Sequence, residues 1–178
     1  MRKITIVGAG RVGETTAQIL AEEELCREIA LYDVREDVPE GVALDICQTA
    51  PFFEFDCALS GSNDPQIMRG SEMLVITAGL PRKPGMSRSD VLEANVRVID
   101  EVVDQAKRYA PDAMILMVTN PVDTLTYRAF RRSGWPRART STDTRPLHHG
   151  HVVVTACWQT SFAGLPYLTR EGISVSIG

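Results

Sequence analysis

The chain has 178 residues, of which 44% are hydrophobic and 24% charged, and its net charge is −4. That length accommodates one domain with a real core, or one and a small remainder, and the composition is that of an ordinary soluble globular protein. The acidic balance argues against a nucleic-acid footprint. No apolar window reaches the about 18 residues of a membrane-spanning helix, and the N-terminus has no signal-peptide apolar core. Cys26, Cys47, Cys57 and Cys157 form no C-x-x-C pair and no metal-ligand spacing. They are expected to be reduced thiols packed as small apolar groups, with structural zinc or disulfides as the alternative. These features together predict a cytoplasmic protein.

The first 33 residues are the most informative. Lys3-Ile4-Thr5-Ile6-Val7 is a short β-branched run, as a buried strand requires. Gly8-Ala9-Gly10-Arg11-Val12-Gly13 follows at once as G-x-G-x-x-G. Residues 14–24 carry helix formers, with Ile19 and Leu20 on an apolar face. A second strand at 28–32 ends at Asp33, 20 residues past Gly13. Each part has a task in dinucleotide binding. Gly8 permits a tight turn, Gly10 lets backbone approach a pyrophosphate, and Gly13 lets the helix pack on the strand. The helix N-terminus offers N–H groups and a positive dipole end to phosphates. Asp33 can accept hydrogen bonds from the adenosine ribose and would repel a 2′-phosphate. The strand, helix and acid in register favour NAD binding; the alternative is a glycine-rich turn beside an ordinary strand-end Asp.

Alternation continues. A helix is predicted over 38–48 with Val42, Leu44 and Ile46 as its apolar positions and Pro39 in its first turn. A short strand comes next at 58–60, then a turn over Gly61-Ser62-Asn63-Asp64-Pro65. A buried strand is predicted at 73–77, a loop at 78–88, and a long helix at 89–109 with Val91, Leu92, Val98, Val102 and Val103 as apolar positions. Another buried strand is expected at 113–118, and a helix at 121–133 that Gly134 stops. This βαβα order implies an α/β fold: a doubly wound parallel sheet of the Rossmann kind, with helices on both faces. Sites in such sheets lie at the carboxyl ends of the strands, where Gly8–Gly13, Asp33, the loop after Thr77 and Asn120 all fall. After Arg139 the character changes. Residues 140–151 are rich in Thr, Arg and His without period, and Val152-Val153-Val154 is the one strand candidate near it.

Two further segments carry chemistry. The loop Leu80-Pro81-Arg82-Lys83-Pro84-Gly85-Met86-Ser87-Arg88 places two arginines six residues apart beside the nicotinamide end of the site. Arginine suits two-point binding of carboxylates, so the pair points to a substrate with more than one anionic oxygen group; a solvated basic loop is the alternative. Gly85 could serve as a hinge for lid closure. In Val118-Thr119-Asn120-Pro121-Val122-Asp123, Asn120 either donates to a substrate oxygen or caps the next helix with Pro121 at its first position. Asn95 either faces the cofactor or is a surface polar residue.

The glycine motif, the segment from Ala78 to Arg88 and the segment Val118–Asp123, with the spacing between them, strongly resemble malate dehydrogenase of the bacterial, lactate-dehydrogenase-like type, from Met1 to about Arg139. The resemblance implies an NAD-dependent oxidoreductase of the tricarboxylic acid cycle, homo-oligomeric in its family. NAD would be held by Gly8, Ala9, Gly10, Arg11, Val12, Gly13, Asp33, Asn95, Val118, Thr119 and Asn120. Arg82 would bind the distal carboxylate of malate or oxaloacetate, where lactate-type enzymes usually have an uncharged residue. Arg88 would polarise the reacting oxygen as the loop closes, and Asn120 would hydrogen-bond it. The chain departs from the family beyond Arg139. The family's second half supplies a further arginine, an aspartate and a proton-transferring histidine in a Gly-x-His-Gly pattern, and no residue of this chain is assigned that catalytic role. His151 stands near the expected arginine position, and only Glu171-Gly172-Ile173-Ser174-Val175 faintly echoes the family. The expectation is an NAD-binding domain at 1–139 and an anomalous remnant of the catalytic domain at 140–178, produced by a disrupted reading frame. The chain would then be a malate dehydrogenase or a catalytically dead NAD-binding remnant of one. His148, His149 and His151 are expected to be solvated rather than a substitute base.

Overall fold

The computed structural model describes residues 1–81 and 84–135, and the backbone of 153–155, 168–169 and 172–173. Strand β1 (Lys3–Val7) leads into helix α1 (Arg11–Glu22), β2 (Glu28–Tyr32), α2 (Val38–Phe53), β3 (Ala58–Ser62), a 3₁₀ turn (Pro65–Met68), β4 (Met73–Ile76), α3 (Arg88–Tyr109), β5 (Met114–Met117) and α4 (Val122–Ser133). A strand at Val153–Thr155, β6, pairs with β5, and the short strands Leu168–Thr169 and Gly172–Ile173, β7 and β8, pair antiparallel with each other. Among the described residues six strands form one parallel sheet in the order β3-β2-β1-β4-β5-β6. The order reverses between β1 and β4, which opens a crevice at their carboxyl ends. The sheet takes its sixth strand from beyond residue 139.

The inner strands are apolar on both faces because helices cover both. Ile4, Ile6, Ile29, Leu31 and Val75 pack with Ala17, Leu20, Ala43 and Ile46 of α1 and α2. Leu74, Ile76, Ile115 and Met117 pack with Ile99, Val102, Val103, Ala106, Leu125 and Ala129 of α3 and α4. A buried polar pair, the Thr5 and Ser71 hydroxyls at 2.6 Å, satisfies itself between the layers.

Several expectations are corrected. Helix α1 begins at Arg11, and its buried face is Gly13, Ala17, Leu20 and Ala21, whereas Ile19 is exposed. The small residues let α1 lie close to the sheet, and Ile19 falls outside their i, i+4, i+7 stripe. Helix α2 runs past Gln48 to Phe53, carrying Pro51 in its last turn, and it exposes Leu44 while burying Ala43 and Ile46. Gly61 belongs to β3 rather than to a turn. A Cβ there would stand 2.0 Å from the Pro39 carbonyl oxygen, so α2 crosses the edge strand where only glycine fits. In α3 the fully buried positions include Ile99 and Ala106, and Val91 is only half-buried. The strand expected at 152–154 lies at Val153–Thr155, one residue later.

Candidate functional site

The glycine turn sits in the crevice. Gly8 has φ +108°, and a Cβ on it would lie 2.6 Å from the Ala78 nitrogen, so the turn and the β4 loop meet without side chains between them. A Cβ on Gly13 would stand 1.9 Å from the Gly8 carbonyl oxygen, so this glycine sets how closely α1 approaches β1. Gly10 differs from both, because its Cβ would meet nothing within 4 Å. It is the N-cap of α1 and has no side chain with which to cap it. The space in front of the first-turn N–H groups is therefore open, and Arg11 and Val12 are exposed beside it. An open, uncapped helix start with an empty Cβ position fits a dinucleotide pyrophosphate.

The Thr77 hydroxyl ties β4 to the turn by donating to the Gly8 carbonyl at 2.8 Å. Asp33, at the end of β2, is 9% exposed and faces the same turn; its Oδ2 accepts from the Ala9 N–H at 2.8 Å. Burial alone would raise its pKa. The Arg35 side chain, the Arg35 N–H and the Ala9 N–H outweigh that and hold the carboxyl below its ordinary range. Arg35 donates from Nε to Oδ1 at 3.0 Å and from Nη2 to Oδ2 at 2.9 Å. Asn63 fixes the backbone of this corner by donating to the Asp33 and Arg35 carbonyls at 2.7 and 2.5 Å.

Asn95 is buried at 2% exposure, which rules out the surface alternative for it. Its Oδ1 accepts from the Leu80 N–H at 2.7 Å and its Nδ2 donates to the Asn120 carbonyl at 3.1 Å. It joins the loop after β4 to the end of β5. Thr119, also buried, donates its hydroxyl to the Ala78 carbonyl at 2.7 Å and reinforces the same junction. Val118 is half-buried and Asn120 exposed at the crevice. The alternative in which Asn120 caps α4 is not realised: Pro121, joined to Asn120 by a cis bond, occupies the N-cap position without a side-chain cap, and the helix begins at Val122. Arg88 is not in an irregular loop. A capping box between Ser87 and Asp90 draws it into the first turn of α3, where it is exposed. Gly85, with φ +88°, precedes this helix.

The structure thus brings Gly8–Gly13, Asp33, Asn95, Val118, Thr119 and Asn120 to one end of the sheet. Arg82, Cys157, His148, His149 and His151 lie outside the described residues. Cys26 and Cys57 are buried free thiols and Cys47 is half-buried. Cys26 lies low, chiefly through its contact with Cys57, and that contact together with burial pushes Cys57 up. Among the described residues no cluster of His, Cys, Asp and Glu could hold a metal ion, and no helix is long and apolar enough to cross a membrane. Sequence reasoning missed Arg35 and Asn63. The Arg two places past the strand-end acid was a usable signal; Asn63 had none, since its contact spans 30 residues.

Residues 2–142 match the family described as lactate/malate dehydrogenase, NAD binding domain. The chain is 62% identical over 139 residues to the malate dehydrogenase of Thioalkalivibrio sulfidiphilus, which covers 78% of this chain and 45% of that protein. Among solved structures it is similar to malate dehydrogenase from Archaeoglobus fulgidus in complex with NADH, with a TM-score of 0.73 and 41% identity over 76% of this chain and 46% of that one. It is similar also to lactate dehydrogenase from Cryptosporidium parvum complexed with lactic acid and NAD, with a TM-score of 0.72 and 34% identity over 76% and 43%. The chain spans about half the length of the relatives it matches or less. A glycine turn, helix start and strand-end acid in one crevice, with these matches, settle the lineage: the chain belongs to the lactate/malate dehydrogenase family and carries its NAD-binding domain.

Proposed function

We propose that this chain is the cofactor half of a malate dehydrogenase, with residues 1–139 as the body of the NAD-binding domain and β6 adding an edge strand to its sheet. The observation that carries this reading is the open start of α1 beneath Gly10, set beside the buried carboxylate of Asp33. The pyrophosphate would rest on the N–H groups just past Gly10, with Gly8 and Ala9 shaping the turn and Arg11, Val12 and Gly13 its floor. Asp33 would take the adenosine ribose. The nicotinamide would lie toward Val118, Thr119 and Asn120. When bound, NAD exchanges the hydride with the substrate carbon; this chain's residues orient the two.

The substrate we assign is a small dicarboxylic 2-hydroxy or 2-oxo acid. Lactate- and malate-type relatives share this fold at similar TM-scores, so the fold does not choose between them. The choice rests on Arg82, whose cationic fork suits a second carboxylate, with Arg88 and Asn120 directed to the reacting oxygen. A second reading is an NAD-binding unit that turns nothing over by itself. It is favoured by the family model itself, which matches residues 2–142 and describes an NAD-binding domain.

Calorimetric titration of the chain with NADH, paired with an oxaloacetate-dependent absorbance assay on the same sample, decides between them. Binding with turnover supports the enzyme. Binding without turnover supports the NAD-binding unit. Absence of binding overturns both.

A further inference from the structure

Arg35 alters what the adenosine end of the site can accept. A carboxylate offers about four acceptor positions, and those of Asp33 are filled. Oδ1 accepts from the Arg35 N–H and Nε, both at 3.0 Å. Oδ2 accepts from the Ala9 N–H at 2.8 Å and from Arg35 Nη2 at 2.9 Å. The same Nη2 donates to the Ala9 carbonyl at 3.1 Å, so the fork is tied to the glycine turn as well as to the acid. The corner that carries it is held by Asn63. This is no chance meeting of two solvated side chains, since Asp33's side chain is only 10% exposed.

The fork has two effects on the site, both resting on the proposed cofactor role. A ribose diol that would donate to Asp33 must first displace part of a two-point, charge-assisted pair. And a bare Asp33 would repel a 2′-phosphate, whereas an Asp33 neutralised by Arg35 does not. The Nη1 edge takes no part in the fork, and it belongs to a side chain 55% exposed, where an incoming phosphate can reach it. We infer that Arg35 is a cofactor-specificity residue: it competes with the ribose of NAD(H) for Asp33 and admits the 2′-phosphate of NADP(H), so that the site separates the two nucleotides only weakly.

The test is titration of the 178-residue chain and its Arg35→Leu variant with NADH and with NADPH, read by calorimetry, with thermal unfolding as a check on the fold. The unaltered chain is expected to bind the two with dissociation constants within about tenfold of each other. Arg35→Leu should tighten NADH by about threefold and weaken NADPH by about tenfold or more, since it frees Asp33 and restores its repulsion. Should Arg35→Leu fail to fold, Arg35→Gln gives the same decision, because it removes the cation while keeping a polar side chain of similar length; the preference must again move toward NADH. NADH binding with an unmoved NADH-to-NADPH ratio in the variant overturns this inference and leaves the cofactor reading standing. Failure of the unaltered chain to bind NADH overturns both.

Discussion

Asn95 illustrates how a single side chain can shape a site from behind it. Its amide meets one donor and one acceptor from two different loops, Leu80 and Asn120, and it does so while nearly fully buried. Replacement by leucine keeps the volume but strands both backbone groups. An unsatisfied buried polar group costs about 1–3 kcal/mol, so Asn95→Leu should lower stability by about that amount in urea unfolding and weaken NADH binding through the loosened loops. Asn95→Asp retains the acceptor for Leu80 but turns a carboxylate oxygen toward the Asn120 carbonyl, so it should be no better tolerated. A wild-type urea midpoint in both variants would show that the junction is held elsewhere. Asp33 was legible as a candidate site residue because an acid at a strand end, a fixed distance past a glycine motif, is a local pattern. Asn95 was assigned to the site only through the family resemblance, because nothing local separates a buried helical Asn from an exposed one.

Among the elements, the fit of α1 against β1 depends on the least atom count. A Cβ on Gly13 would press within 1.9 Å of the Gly8 carbonyl oxygen, which is backbone and cannot rotate away. Gly13→Ala must therefore push α1 off the sheet. Overpacking of this kind costs about 1–3 kcal/mol, and it also moves the N–H groups that face the open space at Gly10. The expected result is lower stability together with loss of NADH binding; a variant that binds NADH normally would contradict the placement of the pyrophosphate on this helix. Strand positions were easy to read from apolar runs, and the corrections concern helix faces. Ile19 and Leu44 are exposed while Ala17, Ala21 and Ala43 are buried. Apolar character predicts burial only on average; close helix–sheet approach selects small residues, and that choice is made by the packing distance.

For the molecule as a whole, acid stability reports the electrostatics of both layers. Asp100 and Asp104 on α3 receive two-point pairs from Arg128 and Arg132 on α4, and these arginines hold both carboxyls below their ordinary range. Asp33 is lowered as well, where burial is outweighed by Arg35 and Ala9. A carboxyl whose folded pKa is depressed stabilises the fold above its unfolded value, and that contribution is lost as pH falls through the folded one. Stability should accordingly be flat from pH 7 to about pH 5 and decline below about pH 4. The doubly substituted Arg128→Gln, Arg132→Gln chain should show a shallower acid decline, and the difference from wild type should shrink in high salt because these pairs are solvent-exposed. An unchanged acid limb would show that the α3–α4 pairs contribute nothing to it.

Much of this protein was determined by its sequence alone. Alternating apolar runs and helical segments led to the doubly wound sheet, and the glycine spacing with Asp33 led to the cofactor, because both rest on short-range patterns in which each residue type has one physical task. The tertiary structure alone decided the rest. It withdrew Asn95 from the surface and drew Arg88 into a helix. It placed Arg35 across the very carboxylate that a ribose would use, with Asn63 holding that corner from 30 residues away. Such contacts join segments distant along the chain, and no local pattern encodes them; only the closing of the strands into one sheet brings their ends to the same crevice.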